Sequence, residues 1–329
     1  MATLYGDAQR FAGGLTEVAA GVHAWLQPNG AWGESNAGLV VGDGASLLID
    51  TLWDLPLTRR MLAAMRPLVA DAPIRTLVNT HGDGDHWWGN ELVGAGEIVA
   101  TQAAATHEMR AIAPGALLAT RRLGQALALA GRPSGRYLAA MMAPFAFGAI
   151  TLTPPTRTFS GRLELEVGGR AVELIEVGPA HTQGDLIVHV PDARVVFAAD
   201  VVFVGSTPVM WAGPLENWLR ALDTIEALAP AVIVPGHGPL IDVAGLEPLR
   251  AYWRHLESAA RVGTPARSIV LSDEYPFGDW ECPERAVINL HTLARRGPEP
   301  QGPARLRILA AVGRLAAELP GRPPAALHP

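Results

Sequence analysis

Four loops in this chain carry histidine or aspartate directly after an apolar run of residues that is typical of a strand. They are "HGDGDH" after "IRTLVNT", "GPAHTQGD", the aspartate of "VFAAD", and "VPGHGP". Glycine in most of these loops permits tight, non-helical turns. Open α/β folds place their ligand sites at the carboxyl ends of the strands. We therefore expect one shared edge, with every side chain at the C-terminal end of its strand: His81, Asp83, Asp85, His86, His181, Asp185, Asp200 and His237.

This combination of residue types predicts a metal centre. Imidazole and carboxylate groups suit Zn²⁺, Mn²⁺ or Fe²⁺, and a set of this size can hold two ions with a shared water. A single histidine near a strand end is more often a hydrogen-bonded structural residue, but four such loops in one chain favour metal binding. The remaining histidines lack this setting, and we expect them to be ordinary: His23, His107, His189, His255, His291 and His328.

The order of strand-like and helix-like segments predicts an α/β fold. Short strands fill the first 80 residues, with "GDG" as a hairpin turn between "NAGLVVG" and "ASLLID". From about residue 101 to 148, segments rich in Ala, Leu and Met predict two or three helices inserted over the core. We expect a main domain at residues 1–262 and a helical C-terminal extension at residues 263–329. Its Pro-rich tail, "PGRPPAALHP", is expected to be frayed.

Composition excludes several classes of function. Only 18% of the residues are charged and the net charge is −6, so no basic surface for nucleic acid is expected. The chain has no lysine, which excludes Schiff-base chemistry, and its one cysteine, Cys282, excludes a cysteine-rich zinc site. There is no signal-peptide pattern and no apolar run that reaches the roughly 18 residues of a membrane span. We expect a cytoplasmic enzyme that acts on a small molecule.

With these motifs in order, the chain resembles the metallo-β-lactamase-fold hydrolase superfamily over about residues 15 to 260. The resemblance rests on "THGDGDH", "PAHTQGD", the aspartate of "FAAD", and "PGHGP". It implies a four-layer αββα sandwich with two sheets packed face to face and metal ions at one edge. It also implies that Asp50, at the end of "LLID", supports the metal-binding loop from behind.

One position departs from the family pattern. The usual motif is His-x-His-x-Asp-His, and here Asp83 stands where the second histidine is expected. By position, the resemblance assigns His81 and His181 to metal site one, with Asp83 either as a third ligand or hydrogen-bonded to a ligand water. It assigns Asp85, His86 and His237 to site two, with Asp200 as the bridge. One or two Zn²⁺ ions are expected. Replacing imidazole with carboxylate at Asp83 makes Mn²⁺ or Fe²⁺ more favourable than at a three-histidine site.

Such a centre predicts hydrolysis of an ester, thioester, lactone or amide by a metal-bound hydroxide, with Asp85 orienting the nucleophile. No Gly-x-Ser-x-Gly stretch offers a serine-based alternative. Apolar residues near the motifs favour a hydrophobic substrate, although they are equally compatible with plain core or with a homodimer contact. The candidate pocket residues are Trp87, Trp88, Met210 and Trp211, with Met141, Met142, Phe145 and Phe147 of the insertion as a lid.

Two other functions fit the same residues. The harder metal site is compatible with an iron-dependent oxygenase or redox enzyme on this fold. A non-catalytic binding protein that kept the pocket is the second alternative, and the presence of all the other ligand positions argues against it.

Overall fold

A computed structural model describes residues 3–295 and 297–319 of the chain. The predicted frayed tail at residues 320–329, with His328, lies outside the described residues. Two β-sheets form the centre of the molecule, and helices cover the outer face of each. The α/β fold with its αββα layers, predicted from the sequence, is confirmed.

The first sheet has seven strands in sequence order. The strands β1 to β4 are antiparallel, whereas β4 to β7 are parallel, so β4, β5 and β6 all end at the same edge. The strands are β1 (Gly14–Ala19), β2 (Val22–Leu26), β3 (Ala37–Val41), β4 (Ser46–Ile49), β5 (Ile74–Val78), β6 (Glu97–Thr101) and β7 (Arg157–Phe159).

The second sheet has five strands in the order β12-β11-β10-β9-β8. Three antiparallel pairings lead to the parallel pair β11 and β12, whose carboxyl ends meet at one edge. The strands are β8 (Arg162–Val167), β9 (Arg170–Glu176), β10 (Leu186–Val190), β11 (Val195–Phe203) and β12 (Val232–His237).

The two sheets pack through a shared layer of aliphatic side chains. Val40 and Leu47 of the first sheet meet Val188 of the second in one fully buried cluster. At Gly38 the sheets approach so closely that a Cβ atom would lie 2.3 Å from the ring of Phe197. Burial of this apolar surface is the main force that holds the sandwich together.

Helices cover the outer faces. The predicted insertion contains four α-helices rather than two or three, because short breaks at His107 and Ile112 divide its first segment. The helices are α1 (Leu55–Met65), α2 (Gln102–Thr106), α3 (Glu108–Ala111), α4 (Pro114–Leu129), α5 (Pro133–Met142), α6 (Leu215–Ala227), α7 (Glu247–Arg261), α8 (Ala266–Val270), α9 (Ala286–Ala294) and α10 (Pro303–Ala316).

The helices after residue 263 pack against both outer layers. Ile308 and Val312 of α10 join the core between the first sheet and the insertion, whereas Ala286 of α9 joins the core under the second sheet. This part of the chain therefore belongs to the same packed body as the sheets. Within the described residues, no helix is long and apolar enough to cross a bilayer.

Candidate metal centre

All the loops with predicted metal ligands meet at the edge where the parallel strands of both sheets end. The loop after β5 supplies four of them, the loop between β9 and β10 supplies His181, and β12 ends at His237. Asn36 ties the two sheets together there, since its side-chain nitrogen donates hydrogen bonds to the carbonyl oxygens of Pro235 and Gly238.

Asp200 differs from the expectation of a side chain at the end of its strand. The strand β11 continues past it to Phe203. Ala199, directly before Asp200, has a φ of 45°, and the register with β12 shifts on both sides of Ala199. This bulge in the middle of the strand aims the Asp200 carboxylate at the cluster, as bulges near functional sites often do.

The Asp200 carboxylate lies at the centre of the cluster. Its Oδ1 atom is 3.1 Å from His86 Nε2, and its Oδ2 atom is 3.4 Å from the Nε2 atoms of both His181 and His237. His81 Nε2 is 4.0 Å from Oδ2. One carboxylate therefore faces four imidazoles, which is the arrangement expected of a bridging ligand.

The two remaining aspartates lie on opposite sides of this centre. Asp83 Oδ2 is 3.3 Å from His181 Nε2, and Asp85 Oδ2 is 3.6 Å from His237 Nε2. Three overlapping groups have their ligand atoms within 4.8 Å of one another: His81, Asp83 and His181; His81, His86 and Asp200; and Asp85, His86 and His237. The structure thus brings all seven predicted ligands together, Asp83 included.

The donor set fits a cation. The Nε2 atoms of His81, His86 and His181 and the Oδ1 atom of Asp200 are buried and have no hydrogen-bond partner. Buried polar atoms without partners are rare and costly, and here they converge on one point. A metal ion bound by these atoms would remove that cost.

The charges of the cluster are strongly coupled. Burial raises the pKa of Asp200, but the neighbouring His237 and His86 outweigh it and hold that pKa well below its usual range. Burial lowers the pKa of His81 well below 6.5. The neutral imidazole of His81 and the ionised carboxylate of Asp200 are forms that bind a metal. Burial opposes the charge of His181, but Asp83 and Asp200 outweigh it and raise the pKa of that imidazole to about 10.

Contacts behind the ligands fix their orientation. His86 Nδ1 is 2.8 Å from Asp50 Oδ2, and His181 Nδ1 is 2.5 Å from the carbonyl oxygen of Val209. If these Nδ1 atoms carry the protons, the Nε2 lone pairs point into the cluster, as is usual for metal-binding histidines. Asp185 stays outside the cluster: it accepts hydrogen bonds from the backbone N–H groups of Ala180 and Thr182 and so shapes the loop around His181.

A cavity of about 800 Å³ opens onto the cluster. Trp88 and Trp211, two of the candidate pocket residues, line it together with Met141 and Met142 of α5. Its wall also contains Trp32, Trp53, Thr182, Arg285, Glu299, Arg305, Leu306 and Leu309. Apart from Thr182, which belongs to "PAHTQGD", these residues follow no recognisable motif in the sequence, and only the folded chain brings them to the site.

Four predicted pocket or lid residues lie in the core rather than in the cavity wall. Trp87 is 2% exposed and donates a hydrogen bond from Nε1 to the carbonyl oxygen of Gly82, which braces the ligand loop. Met210 is fully buried under the second sheet. Phe145 and Phe147 pack against Trp53, so they support the wall from behind.

Comparison with known proteins gives a consistent family relationship. A family model described as the metallo-beta-lactamase superfamily matches residues 30–237, from the loop before β3 to the last ligand. A curated relative, the 2,4-dinitroanisole O-demethylase subunit alpha of Nocardioides sp., is 28% identical over 206 residues, which is 60% of this chain and 51% of that protein. The chain thus spans about half the length of the curated relative that it matches.

The fold is shared with a solved alkylsulfatase structure. The stereoselective inverting sec-alkylsulfatase of Pseudomonas sp. superposes with a TM-score of 0.63 at 18% identity and covers 86% of this chain and 50% of that one. A metallo-beta-lactamase from Pontibacter korlensis is 20% identical, with a TM-score of 0.49 over 71% of this chain and 94% of that one.

Proposed function

This chain belongs to the metallo-beta-lactamase superfamily, and on that premise we propose that it is a metal-dependent hydrolase of a hydrophobic small molecule. The bond cleaved is an ester, thioester, lactone or amide. The observation that carries the proposal is the convergence of unpartnered, buried ligand atoms around Asp200 at the base of a largely apolar cavity.

We assign His81, Asp83 and His181 to one metal site and Asp85, His86 and His237 to a second, with Asp200 between them. The ions are Zn²⁺, or Mn²⁺ or Fe²⁺ because Asp83 replaces an imidazole with a harder ligand. When bound, such ions lower the pKa of a coordinated water towards about 7 and polarise the scissile carbonyl group.

The side chains of the chain itself supply position and proton transfer. Asp85 lines the cavity and lies beside His237 in the cluster, which lets its carboxylate accept a hydrogen bond from the attacking water. The water oxygen bonds to the carbonyl carbon, the bond to the leaving group breaks, and the released proton passes through Asp85 to the leaving group.

The cavity wall favours an apolar substrate. The indole rings of Trp32, Trp53, Trp88 and Trp211 surround the approach to the cluster and reduce its exposure to bulk water. A low-dielectric environment strengthens every electrostatic interaction with the charge that develops on the carbonyl oxygen.

Two relatives widen the range of substrates that should be tested. One curated relative is named as the alpha subunit of a 2,4-dinitroanisole O-demethylase, and a structural neighbour is named as a sec-alkylsulfatase. We therefore include 2,4-dinitroanisole and a secondary alkyl sulfate beside an aryl ester, a thioester, a lactone and a β-lactam.

The test measures metal content and turnover on the same protein preparations. Elemental analysis of the purified protein and the substrate panel are run on the wild type, His86→Ala and Asp200→Ala, with the exposed His291→Ala as a matched control. We expect both ligand variants to lose bound metal and at least about 10-fold in turnover, because even residues that only orient a metal-binding histidine contribute about 10–100-fold. The control should match the wild type.

Other outcomes would overturn the proposal. Unchanged metal content and turnover in either ligand variant would exclude the assigned centre. Turnover that stops without oxygen, in a protein that contains iron, would favour an oxygenase. A protein with neither metal nor turnover would favour a non-catalytic binding function.

A further inference from the structure

Arg305 on α10 places a cation in the wall of the metal-centre cavity. Its side chain is only 14% exposed, and the carbon of its guanidinium group lies 3.8 Å from the centre of the Trp211 ring. Stacking on an indole face holds the plane of the guanidinium group. Arg305 is thus a rigid charged group beside the reaction site, although it comes from a helix far along the chain.

Within the described residues, no atom accepts a hydrogen bond from the Arg305 guanidinium group. Its Nη2 atom is 3.9 Å from Asp83 Oδ1, and its Nη1 atom is 3.8 Å from Glu299 Oε1. Both distances exceed the range of a hydrogen bond. The two carboxylates form long ion pairs with Arg305 but accept no hydrogen bond from its five N–H donors, which is unfavourable in a mostly buried position.

The second arginine of the cavity wall is less accessible. Arg285 is 1% exposed, and its Nη1 atom donates hydrogen bonds to Ser206 Oγ and to the carbonyl oxygen of Thr207. Its guanidinium group also stacks on Trp32. Arg285 therefore supports the wall, whereas Arg305 presents open donors to the cavity.

We propose that Arg305 binds a carboxylate group of the substrate and so selects anionic substrates with an apolar or aromatic body. A planar carboxylate matches the guanidinium fork and can accept two parallel hydrogen bonds from it. The tryptophans of the wall contact the apolar part. Because Arg305 lies close to Asp83, the carboxylate is held near the bond that reacts. This inference rests on the proposed function and names the substrate class of the same cavity.

The experiment measures binding, so it needs no turnover. Dissociation constants of 4-phenylbutanoate and of the uncharged 4-phenylbutanamide are measured by calorimetry on the metal-containing protein. The proteins are the wild type, Arg305→Gln, Arg305→Lys and, as a matched control, Arg307→Gln, which removes the same charge from an exposed position of α10. Metal content is determined for each preparation.

We expect the wild type to bind the carboxylate at least about tenfold more tightly than the amide. Arg305→Gln should bring this ratio to within about twofold and leave the affinity for the amide unchanged. Arg305→Lys should give an intermediate ratio because lysine keeps the positive charge but lacks the planar pair of N–H donors that matches a carboxylate. Arg307→Gln should keep the wild-type ratio.

Three results would refute the assignment. The wild type could show no preference for the carboxylate. The preference could survive Arg305→Gln, which would place the anion on the metal centre or on Arg285. Arg305→Gln could lose metal and bind both ligands equally poorly, which would mean that Arg305 acts through Asp83. If the protein hydrolysed none of the substrates, the ratio of the two dissociation constants could still be measured. The proposed hydrolase activity and the proposed role of Arg305 can therefore be refuted independently.

Discussion

Asp50 shows how one buried residue can orient a histidine of the cluster. Its Oδ1 atom accepts a hydrogen bond from the Thr80 N–H, its Oδ2 atom accepts one from the Thr80 hydroxyl, and Oδ2 is also 2.8 Å from His86 Nδ1. Its backbone has a φ of 62°, a left-handed conformation that aspartate and asparagine tolerate better than most residues. The supporting position implied by the family resemblance is thus the position that Asp50 occupies.

Asp50→Asn is a sharp test of this support. Asparagine keeps the size and tolerates the backbone, but it carries no charge and its amide nitrogen cannot accept hydrogen bonds. We expect the affinity for Zn²⁺ to fall about 10–100-fold, as for other residues that orient a metal-binding histidine. Competition with a chromogenic chelator measures the affinity. Asp43→Asn, in the exposed turn between β3 and β4, is the control, and equal affinities in both variants would contradict the role.

Most residues of the cluster could be predicted from sequence because they lie at or just after the end of a recognisable strand, whereas Asp200 lies in the bulge of β11. The sequence could not predict which of two neighbouring side chains faces the core and which faces the cavity. Trp87 and Trp88 are adjacent in sequence, yet the first lies in the core and the second in the cavity wall. Met210 and Trp211 diverge in the same way. In such irregular segments no period assigns alternate residues to a face, so only tertiary packing decides.

At the level of elements, the insertion is held together by a close contact between α4 and α5. Gly135 of α5 lies so near α4 that a Cβ atom would be 2.4 Å from Leu127 Cβ and 2.6 Å from the backbone nitrogen of Ala128. Because α5 carries Met141 and Met142 of the cavity wall, the spacing of these two helices also sets the shape of the cavity.

Gly135→Ala should therefore destabilise the protein although alanine favours helices. Overpacking at a closed contact costs about 1–3 kcal/mol, which outweighs the gain of roughly 0.5–1 kcal/mol from helix propensity. Gly115→Ala, in the partner helix α4 and with no atom within 4 Å of its added Cβ, is the matched control and should be neutral or slightly stabilising. Urea unfolding measures both. Equal free energies of unfolding would show that the helices separate without cost.

A buried glutamate clamps the N-terminal segment onto the loop that lines the cavity. Glu34 is 1% exposed, and its two carboxylate oxygens accept hydrogen bonds from the backbone N–H groups of Leu4 and Ala31. Burial raises the pKa of Glu34 from 4.5 to about 7, although these two hydrogen bonds oppose the shift. The folded protein thus holds a proton here that the unfolded chain releases near pH 4.5.

This raised pKa predicts a stability that depends on pH. The contribution of the protonated Glu34 is fully present below about pH 4.5 and is lost as the pH rises through about 7. We expect the stability of the wild type relative to Glu34→Gln to fall by roughly 1–3 kcal/mol between pH 4.5 and 8. Urea unfolding across this range gives the difference, and Glu164→Gln on the surface is the control. A constant difference would rule the effect out.

For the whole molecule, the sequence predicted the two-sheet sandwich and the edge where the ligands meet, but not the contribution of the C-terminal helices to the site. The motifs predicted the edge because each strand and its loop are adjacent in sequence. The strands β6 and β7 and the cavity residue Arg305 have no comparable local signal. Their places depend on contacts between distant segments, which a periodic pattern does not encode.

The C-terminal helices also hold the loop that carries Trp211. Asn289 of α9 accepts a hydrogen bond from the Met210 N–H and donates one to the carbonyl oxygen of Pro208. Arg295 donates hydrogen bonds to the carbonyl oxygens of Trp211 and Ala212. Residues beyond 262 therefore support the metal centre through the same loop whose Val209 contacts His181.

A chain that ends at residue 262 should consequently lack both a stable core and a formed site. It would lose the buried side chains Ile269, Val270, Tyr275, Phe277, Ile288, Ile308, Val312 and Leu315. Burial of each such side chain contributes about 1.5–3 kcal/mol, so their loss is comparable with the entire net stability of about 5–15 kcal/mol. We expect near-ultraviolet circular dichroism to show no fixed tertiary packing and thermal unfolding to lose its cooperative transition. A chain that ends at residue 319 keeps every one of these contacts and is the control. If the shorter chain unfolded cooperatively at the same temperature as the control, residues 1–262 would form a domain on their own, and the C-terminal helices would be an addition to a finished fold rather than part of it.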